Sequence, residues 1–201
     1  MSEKQTASRL ALLRKSLAYY ITHPAVSLLA RTRVTPTALT WVSLLLALGA
    51  GALIGLGYLL AAGLVVLFAG FFDILDGALA RRTGQTTRFG AVFDSTVDRI
   101  AEGATLIGIT ALFLVRGEPA WTVILAGVAM LSSFLVSYIR GRAEAVNIDC
   151  QVGIFTRAER VIILALGLLI DQVLIVLAII TALSVITVIQ RLVHVYRQTK
   201  P

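Results

Sequence analysis

Four aspartates lie in one hydrophobic stretch of the chain, and their spacing is typical of a metal-binding site. Asp73 and Asp76 are three positions apart, and Asp94 and Asp98 are four positions apart. If both segments are helical, each pair projects from one face of its helix. Carboxylates that converge in apolar surroundings repel one another, and burying them unpaired is costly. Acidic all-oxygen sites favour hard cations such as Mg²⁺ or Mn²⁺, and four acids suit two ions better than one.

Residues around the aspartates indicate that the ligand of this site carries phosphate. Gly77 and Gly90 offer bare backbone where a ligand must approach closely. Arg81 follows Asp76 by about one turn and could hold a phosphate bidentately. The connecting loop adds two hydroxyls and a cation, Thr86, Thr87 and Arg88. Two metal ions could clamp a phosphoryl group for in-line displacement, and one of the carboxylates could act as base for an acceptor hydroxyl.

The acidic cluster could also serve a different purpose, and the residues alone leave several roles open. An EF-hand would need many more alternating ligands within one loop. A structural salt-bridge cluster could form with the nearby arginines, Arg81, Arg82, Arg88 and Arg99. A cation transporter would use acidic residues but would not need the glycine and arginine frame. An intramembrane prenyltransferase also uses aspartate pairs with Mg²⁺, but 201 residues are few for its larger helical bundle.

The composition is that of an integral membrane protein. Hydrophobic residues make up 58% of the chain and charged residues only 14%, against about 25% charged in a soluble domain. A spanning helix needs about 20 mainly apolar residues. We therefore predict an all-α fold with a tight turn at Asp171-Gln172 and six transmembrane helices at 38–57, 59–80, 92–115, 119–141, 159–171 and 172–194. The short loop after the second span predicts that the second and third helices pack as antiparallel neighbours, with all four aspartates near the cytoplasmic face.

The positive charge follows the predicted topology. Net charge is +7, and with six spans all Lys and Arg residues except Arg116 fall on one side. This positive-inside pattern places both termini and the active site on the cytoplasmic side of the cell (inner or plasma) membrane, as a multi-pass protein. The charge then reflects topology and attraction to anionic lipid rather than nucleic-acid binding.

The remaining segments predict a single membrane domain over 1–201. Residues 7–30 alternate apolar and basic character, which predicts an amphipathic helix at the cytoplasmic interface within region 1–34; residues 35–197 form the bundle. Thr35 is a candidate N-cap and Pro36 suits the first helical turn. Glycines in the first two spans favour close helix packing. The single cysteine, Cys150, excludes an intramolecular disulfide.

The segment from Asp73 to Asp98 fits the pattern D-x2-D-G-x2-A-R-x8-G-x3-D-x3-D without a gap, and it resembles the signature of the CDP-alcohol phosphotransferases. The resemblance implies transfer of a phosphatidyl-type group from a CDP-linked lipid to the hydroxyl of a second alcohol, with release of CMP. Asp73, Asp76 and Asp94 match metal ligands, and Asp98 matches the residue that completes the metal site and acts as general base. The positions implied in CDP-lipid binding are Thr37, Thr40, Gly77, Ala80, Arg81, Thr87 and Gly90. Thr37 departs from the family's usual Asn or Asp, and members are typically homodimers.

A second pattern concerns the acceptor alcohol. The run Ser137-Tyr138-Ile139-Arg140-Gly141-Arg142-Ala143-Glu144, followed by Val152-Gly153 and Arg157-Ala158-Glu159-Arg160, resembles phosphatidylinositol-phosphate synthases, with Arg140 in place of the usual Lys. The resemblance implies a cationic pocket for a phosphorylated acceptor such as inositol 1-phosphate (3-phosphate in another numbering). Its candidate residues are Ser137, Arg140, Arg142, Arg157, Arg160 and Arg191. Glycerol 3-phosphate is also a phosphorylated alcohol, so a phosphatidylglycerophosphate synthase remains the alternative.

Overall fold

The structure, a computed structural model, describes residues 24–32 and 34–200, which contain helices and no strand. Its six long helices are α1 (Pro36–Gly55), α2 (Leu59–Thr83), α3 (Arg88–Val115), α4 (Ala120–Ala145), α5 (Arg157–Leu169) and α6 (Val173–Thr199). Residues 24–29 are also helical. Most of the interfacial helix predicted over 7–30 lies outside the described residues. The all-helical prediction is confirmed for the part of the chain that the structure describes.

Local sequence signals set the helix ends that flank the aspartates. Thr35 caps α1, because its Oγ1 accepts a hydrogen bond from the Ala38 N–H at 3.3 Å. Gly84 ends α2 with a left-handed φ of +68°, a conformation that glycine adopts at little cost. Thr87 caps α3, with Oγ1 accepting from the Gly90 N–H at 2.9 Å. Only residues 84–87 therefore separate the helices that carry the two aspartate pairs.

The turn predicted at Asp171-Gln172 is present between α5 and α6. Asp171 has a positive φ of 52°, and the Gln172 N–H donates to the Gly167 carbonyl at 2.8 Å. At the other end of α5, Thr156 and Glu159 form a capping box. Both ends of this short helix are thus fixed by its own sequence.

The six helices form a closed ring. The main packing pairs are α1 with α2, α2 with α5, α5 with α6, α6 with α4, α4 with α3, and α3 with α1. The prediction that α2 and α3 pack against each other is therefore wrong for most of their length, since each packs mainly against α1. Small residues let α3 pack closely on α1, and an arginine of α5 reaches into the space near the aspartates of α2 and α3.

Small residues let α1 and α3 approach closely. A Cβ added to Gly51 would lie 2.5 Å from the Ala104 carbonyl oxygen, and a Cβ added to Gly108 would collide with the Gly51 carbonyl. Such contacts between backbones are characteristic of helix packing in membranes, where small residues line the interface. This contact holds α3, and with it Asp94 and Asp98, against α1.

Four helices, α1, α2, α4 and α6, are long and apolar enough to cross a membrane. The chain is therefore a multi-pass membrane protein. The α5 helix has 13 residues, which gives a length of about 20 Å, against a hydrocarbon core of about 30 Å. The α3 helix has 28 residues, but its first half carries charged side chains. Length and composition thus support four spans directly, whereas the sequence predicts six.

Candidate metal and nucleotide site

Three of the four aspartates converge between α2 and α3. Carboxylate oxygens of Asp73, Asp76 and Asp94 all lie within 4.8 Å of one another. Asp76 is the most enclosed of them, with 4% of its surface exposed. Three carboxylates at this spacing supply the hard oxygen ligands that a divalent cation such as Mg²⁺ or Mn²⁺ prefers. The donor set therefore fits the metal that the sequence predicts.

Thr40 of α1 holds one of these carboxylates in place. Its Oγ1 donates to Asp76 Oδ2 at 2.6 Å, and both side chains are buried. The sequence assigns Thr40 to the CDP-lipid pocket, but its nearest polar partner in the structure is an aspartate. Hydrogen bonds of this kind orient metal-ligating carboxylates.

A cavity of about 550 Å³ opens beside the three aspartates. The residues that the sequence assigns to the CDP-linked lipid all line it, namely Thr37, Thr40, Gly77, Ala80, Arg81, Thr87 and Gly90. Asp76 and Asp94 line the same cavity, so the carboxylates face the space that these residues enclose. Gln85, Thr86 and Phe93 also contribute to its wall. These residues thus form one continuous concave surface.

Close contacts with neighbouring side chains explain why two positions of the motif are glycine. The Arg81 guanidinium lies over Gly77, where an added Cβ would sit 3.4 Å from Nη1. At Gly90 an added Cβ would lie 2.9 Å from Thr87 Oγ1, the atom that caps α3. Glycine at these positions keeps the arginine and the cap close to the backbone at the cavity wall.

The fourth aspartate, Asp98, is joined to the others through an arginine. Arg157 Nη1 of α5 lies 2.6 Å from Asp73 Oδ2 and 2.8 Å from Asp98 Oδ1. Asp98 is not among the three residues whose oxygens converge. Its Oδ1 is buried, and the Arg157 guanidinium is the cation that lies against it. Three aspartates therefore lie together, and the Arg157 guanidinium lies between Asp73 and the fourth, Asp98. The sequence assigns this arginine to the acceptor phosphate.

Two other arginines assigned to the acceptor are buried in the bundle. Arg160 is 2% exposed and pairs bidentately with Glu102, at 2.6 Å from Nε to Oε1 and 3.1 Å from Nη2 to Oε2. Arg191 is 3% exposed, and its Nε donates to the Val152 carbonyl at 2.9 Å. Its Nη1 also donates to the Val136 carbonyl. Both guanidinium groups thus have protein partners in place of an open pocket.

The remaining acceptor candidates lie nearer the surface. Arg140 is exposed and pairs with Glu144 at 2.8 Å; Arg142 is exposed and Ser137 half-buried. Arg191, on α6, contacts the carbonyls of Val136 on α4 and of Val152 in the loop before α5. The structure brings the arginines to one end of the bundle without converging them on one point.

Glu102 is a partner that the sequence interpretation missed. It follows Asp94 and Asp98 at successive intervals of four residues on α3, so all three lie on one face of that helix. That spacing is the signal that could have identified it. The acidic face meets a basic pair on α5, Arg157 and Arg160, across the interior of the ring.

Comparison with known proteins agrees with the motif. The profile of the CDP-alcohol phosphatidyltransferase family matches residues 33–193. The archaetidylinositol phosphate synthase of Methanothermobacter thermautotrophicus is 40% identical over 172 residues, which cover 81% of this chain and 83% of that protein. The phosphatidylinositol phosphate synthase of Corynebacterium glutamicum is 39% identical over 186 residues, covering 88% of this chain and 84% of that protein.

Solved structures resemble the fold. The crystal structure of Mycobacterium tuberculosis phosphatidylinositol phosphate synthase with CDP-DAG bound has a TM-score of 0.80 and 34% identity, covering 88% of this chain and 94% of that one. The same synthase in complex with manganese and citrate has a TM-score of 0.79 and 33% identity, with coverage of 87% and 88%. The chain therefore belongs to the CDP-alcohol phosphatidyltransferase family, as its aspartate motif predicts.

Proposed function

We propose that this protein transfers the phosphatidyl group of CDP-diacylglycerol to a hydroxyl of inositol 1-phosphate, giving phosphatidylinositol phosphate and CMP. The observation that carries the proposal is the convergence of Asp73, Asp76 and Asp94 at the edge of a cavity lined by the glycines, the alanine and the arginine of the motif. Relatives that align over most of the chain are named for synthesis of inositol phospholipid phosphates, which favours this acceptor.

The donor would lie in the 550 Å³ cavity with its diphosphate toward the aspartates. Arg81 could pair with a phosphate there, since its guanidinium lies beside Gly77 at the cavity wall. Thr37, Thr87 and Gly90 would border the nucleotide. Because Thr40 is buried on Asp76, we assign it the role of orienting that carboxylate rather than contacting the nucleotide directly.

Asp73, Asp76 and Asp94 would hold divalent metal, with Asp98 completing a site for two ions. We propose Mg²⁺ as the natural ion, with Mn²⁺ able to replace it. Such ions stabilise negative charge on a transferring phosphoryl group and on its leaving group. Manganese in the structure of the mycobacterial relative supports divalent metal chemistry.

In the reaction, the acceptor hydroxyl oxygen forms a bond to the β-phosphorus of CDP-diacylglycerol, and the bond from that phosphorus to the CMP oxygen breaks. The hydroxyl proton passes to Asp98, acting as general base. Asp98 Oδ1 lies 2.8 Å from Arg157 Nη1, so the base would stand beside the arginine that is proposed to bind the acceptor phosphate. CMP leaves with the electron pair of the broken bond.

The acceptor phosphate would be bound by the arginines at the same end of the bundle. Arg157 is the member nearest the aspartates, and Arg140, Arg142 and Arg191 extend the positive region outward with Ser137. Arg160, which is paired with Glu102, would contribute positive charge from its buried position within the bundle. A glycerol 3-phosphate acceptor would use the same charges, so the acceptor itself has to be tested.

The lipid part of the donor is a second point to test. One relative is named an archaetidylinositol phosphate synthase, and the Corynebacterium relative is named for the phosphatidyl product. Both names share the inositol phosphate headgroup and differ in the lipid. CDP-linked diacyl and ether lipids should therefore be compared as donors.

We further propose the arrangement in the membrane. The chain would form one domain, with 1–34 at the interface as an amphipathic helix and 35–197 as a bundle of six spans. Both termini and the active site would face the cytoplasm at the cell membrane, where CDP-lipid and a soluble acceptor can meet. A homodimer is the proposed assembly, and no nucleic acid is expected as a partner.

A panel of acceptors tests the proposal. Purified protein in detergent is given CDP-diacylglycerol labelled in the cytidine, divalent metal, and one acceptor at a time: inositol 1-phosphate, inositol, glycerol 3-phosphate or serine. We expect CMP release with inositol 1-phosphate to exceed release with every other acceptor by at least about tenfold, a difference of roughly 1.4 kcal/mol in transition-state stabilisation. Preference for glycerol 3-phosphate would instead identify a phosphatidylglycerophosphate synthase. Absence of CMP release with every acceptor would contradict transfer from CDP-diacylglycerol altogether.

A further inference from the structure

A small, partly open cavity lies between the helices of the ring, separate from the large cavity that the motif lines. Its volume is about 40 Å³, and side chains from all six helices line it. Most of its wall is aliphatic, but Ser133, Arg157, Arg160 and Glu102 also line it. An aliphatic cavity would be expected to stay dry, whereas one with several polar partners can hold water.

Three polar atoms on residues of this wall have no hydrogen-bond partner among the described residues. They are Ser133 Oγ, Arg157 Nε and Arg160 Nη1, and all three are buried. Ser133 is fully buried and Arg160 is 2% exposed. Leaving a buried donor unsatisfied is costly, and more so for a charged group. Three such atoms around one cavity are therefore an observation that calls for a ligand.

We propose that this cavity is a binding site for structural water, bonded to Ser133, Arg157 and Arg160. A volume of 40 Å³ has room for about three waters, at roughly 10–15 Å³ each. The two guanidinium groups donate to water oxygen, and the Ser133 hydroxyl can donate or accept. The waters can also bond to one another, so that each reaches the two or more polar partners that an ordered water requires.

The role of this water is to complete the hydrogen bonding of the two arginines that cross the ring. Arg157 already contacts Asp73 and Asp98, and Arg160 already pairs with Glu102. Water on the remaining N–H groups keeps both guanidinium groups solvated inside an apolar bundle. The proposal does not depend on the reaction above, because the unpartnered atoms are a feature of the fold.

Ser133→Ala and Ser184→Ala form a matched pair that tests it. Both serines are fully buried and neither Oγ has a hydrogen-bond partner among the described residues, but Ser184 does not line the cavity. If water is bound, Ser133→Ala should lower Tm in detergent by about 2–4 °C through loss of a hydrogen bond. Ser184→Ala should leave Tm unchanged or raise it, since it removes an unsatisfied hydroxyl. An unchanged or raised Tm for Ser133→Ala would overturn the proposal.

Ser133→Val should change Tm in opposite directions for a cavity that holds water and for one that is empty. Filling an empty cavity with methyl groups stabilises a protein, whereas displacing bound water from two arginines destabilises it. We expect Tm to fall further than in Ser133→Ala, and a rise in Tm would contradict the proposal.

An experimental structure at a resolution that shows waters would give the direct result. Water density within hydrogen-bond distance of Ser133 Oγ supports the proposal, and an empty cavity overturns it. An anomalous bromide peak after exchange of chloride for bromide also overturns it, because it would show that the cavity binds an anion.

Discussion

Arg157 and Asp98 form a contact between α5 and α3, at 2.8 Å from Nη1 to Oδ1. The same guanidinium nitrogen lies 2.6 Å from Asp73. In the proposed reaction Arg157 binds the phosphate of the acceptor and Asp98 takes the proton of its hydroxyl. The contact thus joins the two side chains that would act on one acceptor molecule, and it places the acceptor side of the site directly against the aspartates.

The hydrogen bond from Thr40 to Asp76 should contribute to metal affinity. Thr40→Val keeps the shape of the side chain but removes the hydroxyl that donates to Asp76 Oδ2 at 2.6 Å. Loss of a partner that orients a metal ligand costs about 10–100-fold in affinity, so Mn²⁺ titration followed by electron paramagnetic resonance should show a Kd raised by that factor. Thr110→Val, which removes only a hydroxyl bonded to the Leu106 carbonyl, is the control. Equal Mn²⁺ affinity in the two variants would contradict this role.

The buried pair of Arg160 and Glu102 should be strongly coupled. Arg160→Met leaves the Glu102 carboxylate unpaired in the bundle, and removal of one partner of a buried pair costs about 3–5 kcal/mol. Adding Glu102→Gln to Arg160→Met should recover part of that loss, as measured by thermal unfolding in detergent. The exposed pair of Arg116 and Asp171, at 3.4 Å, is the comparison, because such pairs contribute less than about 1 kcal/mol. A double variant less stable than Arg160→Met would argue against the coupling.

Arg140→Ala should act on the acceptor and not on the donor. Arg140 is exposed, and it is not among the residues that line the CDP-lipid cavity. We expect KM for inositol 1-phosphate to rise by about tenfold or more, as for loss of a charged hydrogen bond, while KM for CDP-diacylglycerol changes little. Arg116→Ala, on the opposite loop, is the control and should alter neither constant. An equal rise in both KM values for Arg140→Ala would exclude an acceptor role.

Cys150 should be unreactive in the folded protein. Its side chain is fully buried, and burial raises the pKa of the thiol above its usual value despite the nearby Arg191. A raised pKa lowers the fraction of reactive thiolate at any given pH, so alkylation at pH 8 should be slow and should accelerate only at higher pH or on unfolding. Mass spectrometry after iodoacetamide treatment measures this. Rapid alkylation of folded protein at pH 8 would show that the loop opens.

Much of the site could be predicted from the sequence because its signals are local. The spacing within each aspartate pair, the helix cap at Thr87 and the left-handed turn at Gly84 all depend on residues close in sequence. The cavity then follows once the motif is folded into two helices with a short loop.

The partners across the ring could not be predicted in the same way. Arg157 meets Asp73 and Asp98, and Arg160 meets Glu102, over separations of 58 residues or more. Their encounter depends on the order of helices in the ring, which places α1 against both α2 and α3. Sequence spacing carries no information on that order. The sequence therefore suggests a substrate for Arg157 and Arg160 and does not reveal their protein partners.

The most direct test of the proposed mechanism is the rate of CMP release by Asp98→Asn. The substitution keeps the size of the side chain but removes the carboxylate that would accept the hydroxyl proton. With CDP-diacylglycerol, inositol 1-phosphate and divalent metal, we expect kcat to fall by about 10²–10⁴-fold, the usual contribution of a general base, with thermal unfolding close to wild type. Asp149→Asn, in an exposed loop position, should release CMP at the wild-type rate. Near wild-type turnover by folded Asp98→Asn would contradict the assignment of Asp98 as base and the mechanism built on it.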